Sequence, residues 1–125
     1  MSDQQRRTHT IRFSFENNRL SISMDVLRFL GKPQYIQVFV SSDRSALFIR
    51  GCSSKETPCF TVPPRVYTDP EYKYVLRKAA FSEAICSVTG WNKQGRYRLY
   101  GVAVSPQVMG FSFSDAERLD GNVAT

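Results

Sequence analysis

Residues 11–31 read IRFSFENNRLSISMDVLRFLG, and this stretch decides the fold. Ile11, Phe13 and Phe15 alternate with Arg12, Ser14 and Glu16, the period-two pattern of a strand with one face buried. Asn17-Asn18 tolerates left-handed backbone angles and marks a tight turn. Arg19-Leu20-Ser21-Ile22 then resumes the alternation as a second short strand. Ser23 is a good N-cap, Asp25 sits in the first turn near the positive end of the helix dipole, and Val26, Leu27 and Leu30 share one face. Gly31, with Lys32-Pro33 behind it, stops the helix.

Outward from this stretch, Tyr35–Val40 and Ala46–Arg50 read as a hairpin turning through Ser41-Ser42-Asp43-Arg44. The order over residues 9–50 is therefore β-β-α-β-β. Residues 51–71 carry Pro58, Pro63, Pro64 and Pro70, a density that excludes a central strand or a helix interior and predicts a connector with some extended pieces. Residues 72–113 repeat the grammar of the first half. Tyr72–Leu76 is strand-like, and Phe81, Ala84, Ile85 and Val88 form a short amphipathic helix stopped by Gly90. Arg96–Val104 and Val108–Phe113 make a second hairpin through Ser105-Pro106-Gln107. The shared order of elements predicts an internal duplication: two units around one core, with residues 1–8 and 114–125 as flexible ends. The expected class is α+β, mainly β.

The bulk numbers suit this. The 125 residues are enough for one domain, and an apolar fraction of 42% with 13% aromatics is enough to fold. The net charge of +6 is unevenly spread. Residues 1–50 carry eight Lys/Arg against four Asp/Glu, and residues 74–113 carry five against one; residues 51–73 are neutral and the tail is acidic. Two basic blocks point to a polyanionic partner. No window is long and apolar enough for a membrane span and no secretory leader is legible, so a cytoplasmic location is expected. Cys52 and Cys59, with six residues between them, are too widely spaced for a zinc knuckle, and the one histidine is His9. Neither a metal nor another cofactor is expected, and the thiols read as reduced and partly buried.

The stretch Arg12–Gly31 resembles the DNA-binding half of the AbrB/SpoVT family, the swapped-hairpin transition-state regulators. The shared order is a basic strand, a turn, an arginine before a short apolar strand, and a short helix closing on Leu30-Gly31, followed by a hydrophobic hairpin that ends in a basic residue. The likeness covers residues 9–50 and extends to the second half only in outline. Ser23 stands where the family usually has proline, Asn18 where it has a turn glycine, and Leu27-Arg28 where it has two arginines in a row. The resemblance implies a swapped-hairpin-type barrel in which two β-α-β-β units interleave their hairpins and present arginines to duplex DNA. Two tandem copies imply a monomeric pseudo-dimer, and the family habit a homodimer. Arg12, Arg19 and Arg28 carry over as the candidate DNA contacts.

The alternation by itself turns Arg12 and Arg19 outward, and it puts Arg96, Arg98 and Tyr100 on one strand face with Tyr97 and Leu99 on the other. A guanidinium fork can hold phosphate or a guanine edge through two hydrogen bonds, although exposed arginines also serve simply to keep a protein in solution. Tyr97 and Trp91 read as core. No Ser-His or Cys-His pair, close carboxylate pair, Gly-rich phosphate loop or G-x-S-x-G is present, so the expected role is not enzymatic. Two functions follow. One is a DNA-binding regulator of a bacterium or mobile element. The other is a phage or mobile-element module that binds a host protein, such as a defence nuclease, in the manner of an anti-CRISPR protein.

Overall fold

The computed structural model describes residues 8–54 and 58–119. Among them the chain runs β1 (Thr10–Ser14), β2 (Arg19–Ile22), α1 (Met24–Phe29), β3 (Tyr35–Val40), β4 (Ala46–Cys52), β5 (Phe60–Thr61), α2 (Arg65–Thr68), β6 (Tyr74–Arg77), α3 (Ala79–Thr89), β7 (Arg96–Ser105), β8 (Val108–Ser112) and β9 (Glu117–Arg118). The protein is mainly β, and its antiparallel sheet curls into a half-barrel.

Local chemistry sets the corners. A 3-10 turn at Phe15–Asn17 closes on Asn18, which takes the left-handed conformation at φ 52° and aims β2 back along β1. The Ser23 hydroxyl caps α1 by accepting the Val26 N–H at 3.4 Å. It also accepts the Thr10 N–H at 3.3 Å, tying the helix start to β1. Gly31 (φ 87°) and Gly90 (φ 76°) follow the first and third helices with the positive φ that L side chains rarely adopt.

The strand order is β5-β3-β4-β8-β7-β1-β2-β6, with β9 also on β7. Strand β7 joins the two parts of the sheet. Its residues 96–100 pair with β1, residues 101–105 pair with β8, and Tyr97 and Arg98 face β9 on the edge opposite β1. The β7–β8 hairpin of the second half thus lies between β1 and β4 of the first. One buried cluster draws Ile11, Phe13, Leu20, Leu27 and Ile49 from the first half and Ile85, Leu99 and Phe111 from the second. Trp91 stacks on Tyr97 at 4.3 Å between ring centroids, closing the end of the core beneath β7.

Three segments depart from the sequence expectation. The 51–71 connector holds the edge strand β5, the last residues of β4 and the single-turn helix α2, which starts directly after Pro64, where a missing N–H costs nothing. Strand β6 starts at Tyr74, so Tyr72 and Lys73 lie before it. The tail expected over 114–125 is built as far as Leu119: a 3-10 turn and β9 continue down β7, and the Leu119 N–H donates to the Arg96 carbonyl at 2.8 Å. Residues 1–7 of the expected N-terminal arm, 55–57 of the connector and 120–125 of the tail fall outside the described residues. No helix among the described residues is long and apolar enough to cross a membrane.

Candidate nucleic-acid interface

The solvent face of β1, β2, β6 and the first half of β7 is an arginine surface. Ile11 and Phe13 are each 1% exposed, so the pleat turns Arg12 and Ser14 away from the core. Register then carries the pattern sideways. Arg12 lies opposite Ser21 on β2 and opposite Arg98 on β7. Ser14 lies opposite Arg19 and Arg96, and Arg19 lies opposite Arg77 on β6. Two rows result: Arg98, Arg12, Ser21, Val75 and Arg96, Ser14, Arg19, Arg77. Within them Arg12 faces Arg98 and Arg19 faces Arg77 directly across the ladder, an arrangement in which like charges repel.

Between these rows runs an open cleft of about 560 Å3, lined by Arg12, Arg19 and Arg96 together with Ser14, Ser21 and Asn17. Glu16 stands at its edge, and Leu119, from the segment after β9, forms part of its wall. Arg19 is half-buried, and its Nε is shielded from solvent with no hydrogen-bond partner. A donor left in that state costs on the order of 1–3 kcal/mol. A second cleft, of about 460 Å3, adjoins the first: Arg12 and Ser21 line both, and Arg28 and Lys73 flank the second.

Arg28 and Arg98 hold carboxylates. Arg28, on the exposed side of α1, donates to Asp25 at 3.1 Å, one turn back. Arg98 donates to Glu117 of β9 at 3.2 Å, and the Tyr100 hydroxyl donates to the same oxygen at 2.7 Å. Tyr100, and behind it Glu117, push the Arg98 guanidinium above its ordinary value against a smaller opposing desolvation. Both ion pairs are solvent-accessible and so contribute little to stability.

The structure therefore brings Arg12, Arg19, Arg96 and Arg98 onto one surface, with Arg28 at its border. Sequence reasoning missed Arg77, Lys73 and Glu117. The first two flank β6 at its ends, and Glu117 sits in a two-residue strand too short to show any periodicity. His9 lies edge-on to Phe29 with ring centroids 6.3 Å apart. Cys52 and Cys86 are buried and Cys59 half-buried, all as thiols. Among the described residues no group of three or more His, Cys, Asp or Glu is placed to hold a metal ion. Comparison with protein-family models, curated proteins and solved structures returned no match.

Proposed function

We propose that this chain is a non-enzymatic DNA-binding protein, of the kind that regulates transcription in bacteria or mobile elements. The observation that carries the reading is the pair of directly opposed arginines, Arg12 with Arg98 and Arg19 with Arg77, on one solvent face. The Arg19–Arg77 pair works against the sheet by roughly 0.2–1 kcal/mol, and the Arg12–Arg98 pair by less, because Glu117 already holds Arg98. A polyanion laid on the face removes that repulsion, and it offers acceptors to five or six guanidiniums at once. The strand order supports the finer reading of a swapped-hairpin-type pseudo-dimer, because hairpin β7–β8 is inserted between β1 and β4 and because β2 pairs with β6.

The test is titration of a duplex DNA pool at several salt concentrations. Log affinity should fall with log salt by about 0.9 per phosphate contact. Single Arg12→Gln, Arg19→Gln and Arg28→Gln variants that keep the wild-type circular dichroism should each lower the slope by about one unit if that arginine holds a phosphate. A triple variant that binds as the wild type does would sink the DNA reading.

A protein partner is the second reading, and one specific observation favours it. Among the described residues the three exposed large apolar side chains, Phe39, Val102 and Val104, all lie on the other part of the sheet. Phe39 faces Phe48 across the β3–β4 ladder, and Phe48 and Val102 both face Gly110. That row gives a host protein an apolar surface to bury.

A further inference from the structure

We propose that the cleft between β2, α1 and the segment leading into β6 takes a nucleotide with an unpaired base, so that the ligand of the arginine surface is single-stranded or locally opened nucleic acid. The inference rests on the nucleic-acid reading above and narrows its substrate class.

The chemistry of the cleft differs from that of its neighbour. Met24, Tyr72 and Tyr74 line its body and Arg12, Arg28 and Lys73 stand around it, with the Asp25 carboxylate held on Arg28. An apolar, partly aromatic body suits a flat ring, and Arg12 and Lys73, joined by Arg28 once it leaves Asp25, suit the phosphate attached to that ring. A volume of about 460 Å3 lies within the range of small-ligand pockets. The Thr10 and Ser21 side chains add hydroxyl groups to the lining, each able to donate and to accept a hydrogen bond.

Tyr72 is the stacking residue. Tyr74 is 5% exposed and its hydroxyl is spent on the Thr61 carbonyl at 2.8 Å, so it forms floor. Tyr72 is half-buried, just outside β6, with the Arg65 guanidinium 4.7 Å from its ring centroid. A base held in a stacked pair inside a duplex cannot place its face against this ring, whereas an unpaired base can. Because Arg12 and Ser21 line both clefts, the strand leaving the pocket runs on to Arg19 and Arg96 without crossing an uncharged gap.

The same chemistry is offered by a free nucleotide, so the experiment has separate arms. Fluorescence anisotropy is read for a short labelled single strand, for its blunt duplex and for adenosine monophosphate as competitor, with wild type, Tyr72→Ala, Tyr72→Phe and Lys73→Gln. The single strand should bind at least tenfold more tightly than the duplex at equal salt. Tyr72→Ala should weaken it by about 5- to 150-fold, the worth of one stacked base, and move the duplex by less than twofold. Tyr72→Phe, which keeps the ring, should behave as wild type. Lys73→Gln, at an exposed position, should lower the single-strand salt slope by about 0.7 even if Tyr72→Ala does not fold. Displacement of the strand by the free monophosphate, lost in Tyr72→Ala, would identify the mononucleotide as sufficient. Equal binding of strand and duplex, unmoved by Tyr72→Ala and Lys73→Gln, would overturn the pocket assignment and leave DNA binding standing. Binding of neither, with capture of an acidic peptide instead, would overturn both.

Discussion

If nucleic acid lies on the arginine surface as proposed, Glu117 competes with it for Arg98, and replacing Glu117 by Gln should tighten binding. Glu117 Oε1 accepts from Arg98 Nη1 at 3.2 Å and from the Tyr100 hydroxyl at 2.7 Å. The Arg98 and Glu117 side chains are 33% and 52% exposed. Such a pair contributes about 0.2–1 kcal/mol after solvent screening. A phosphate that must displace the carboxylate loses that amount, so Glu117→Gln should bind duplex about 1.4- to 5-fold more tightly. The gain should depend on salt. If Arg98 stays with Glu117 in the wild type and turns to a phosphate in the variant, the log–log slope steepens by about 0.9. Between about 50 and 200 mM salt that is about a 3.5-fold larger loss of affinity, so the two proteins converge as salt rises. Anisotropy titrations of one labelled duplex across that range measure both quantities. Unchanged or weaker binding by a folded Glu117→Gln protein, with the wild-type slope, would refute the placement of Arg98 in the contact surface.

Two further expectations concern the scaffold. A Cβ on Gly101 would lie 2.8 Å from the Phe111 ring and against the Met109 sulfur, so Gly101→Ala should destabilise the protein by about 1–3 kcal/mol in urea unfolding; a neutral result would contradict the tight approach of β7 to β8. Burial pushes the Tyr67 phenol from its ordinary 10 up to about 12 and raises Tyr74 as well, so the folded state holds these protons more tightly than the unfolded chain. Their contribution is whole below pH 10 and is lost as pH climbs toward 12. Melting temperature should fall across that window, and less steeply in Tyr67→Phe, which also gives up the hydrogen bond to the Pro33 carbonyl at 2.7 Å; identical pH profiles would dismiss the linkage.

The first half was legible because its signals are local. Alternation from Ile11 to Ile22 gives both strands, and Ser23 and Gly31 bracket the helix within two residues of the observed ends. The outward turn of Arg12, Arg19, Arg96 and Arg98 follows from the same alternation. What alternation cannot supply is which strand lies beside which. That β7 pairs with β1 depends on burying Leu99 and Tyr97 against Ile11 and Phe13, a contact separated by more than eighty residues of chain. One wall of the second cleft comes from residues 66–74, where proline hides any periodicity. Strand β9 is not legible in the sequence because two residues carry no period, and its anchor, Arg98, lies nineteen positions earlier.

These long-range contacts also explain why the candidate site needs both halves. Arg12 and Arg19 come from the first half, which supplies the two middle strands of the surface, and Arg77, Arg96 and Arg98 come from the second, which supplies the strand on either side. The core beneath the face is shared as well: Phe13 packs against Phe81 and Trp91 with ring centroids 6.1 and 6.5 Å apart. Core packing thus fixes the register, and register fixes the spacing of the guanidiniums. A one-residue slip of β7 against β1 would turn Leu99 to solvent and Arg98 into the core, which the buried aromatic cluster forbids. The opposed arginines are held by the hydrophobic side of the same strands, and that is how a sheet can keep like charges together on its outer face.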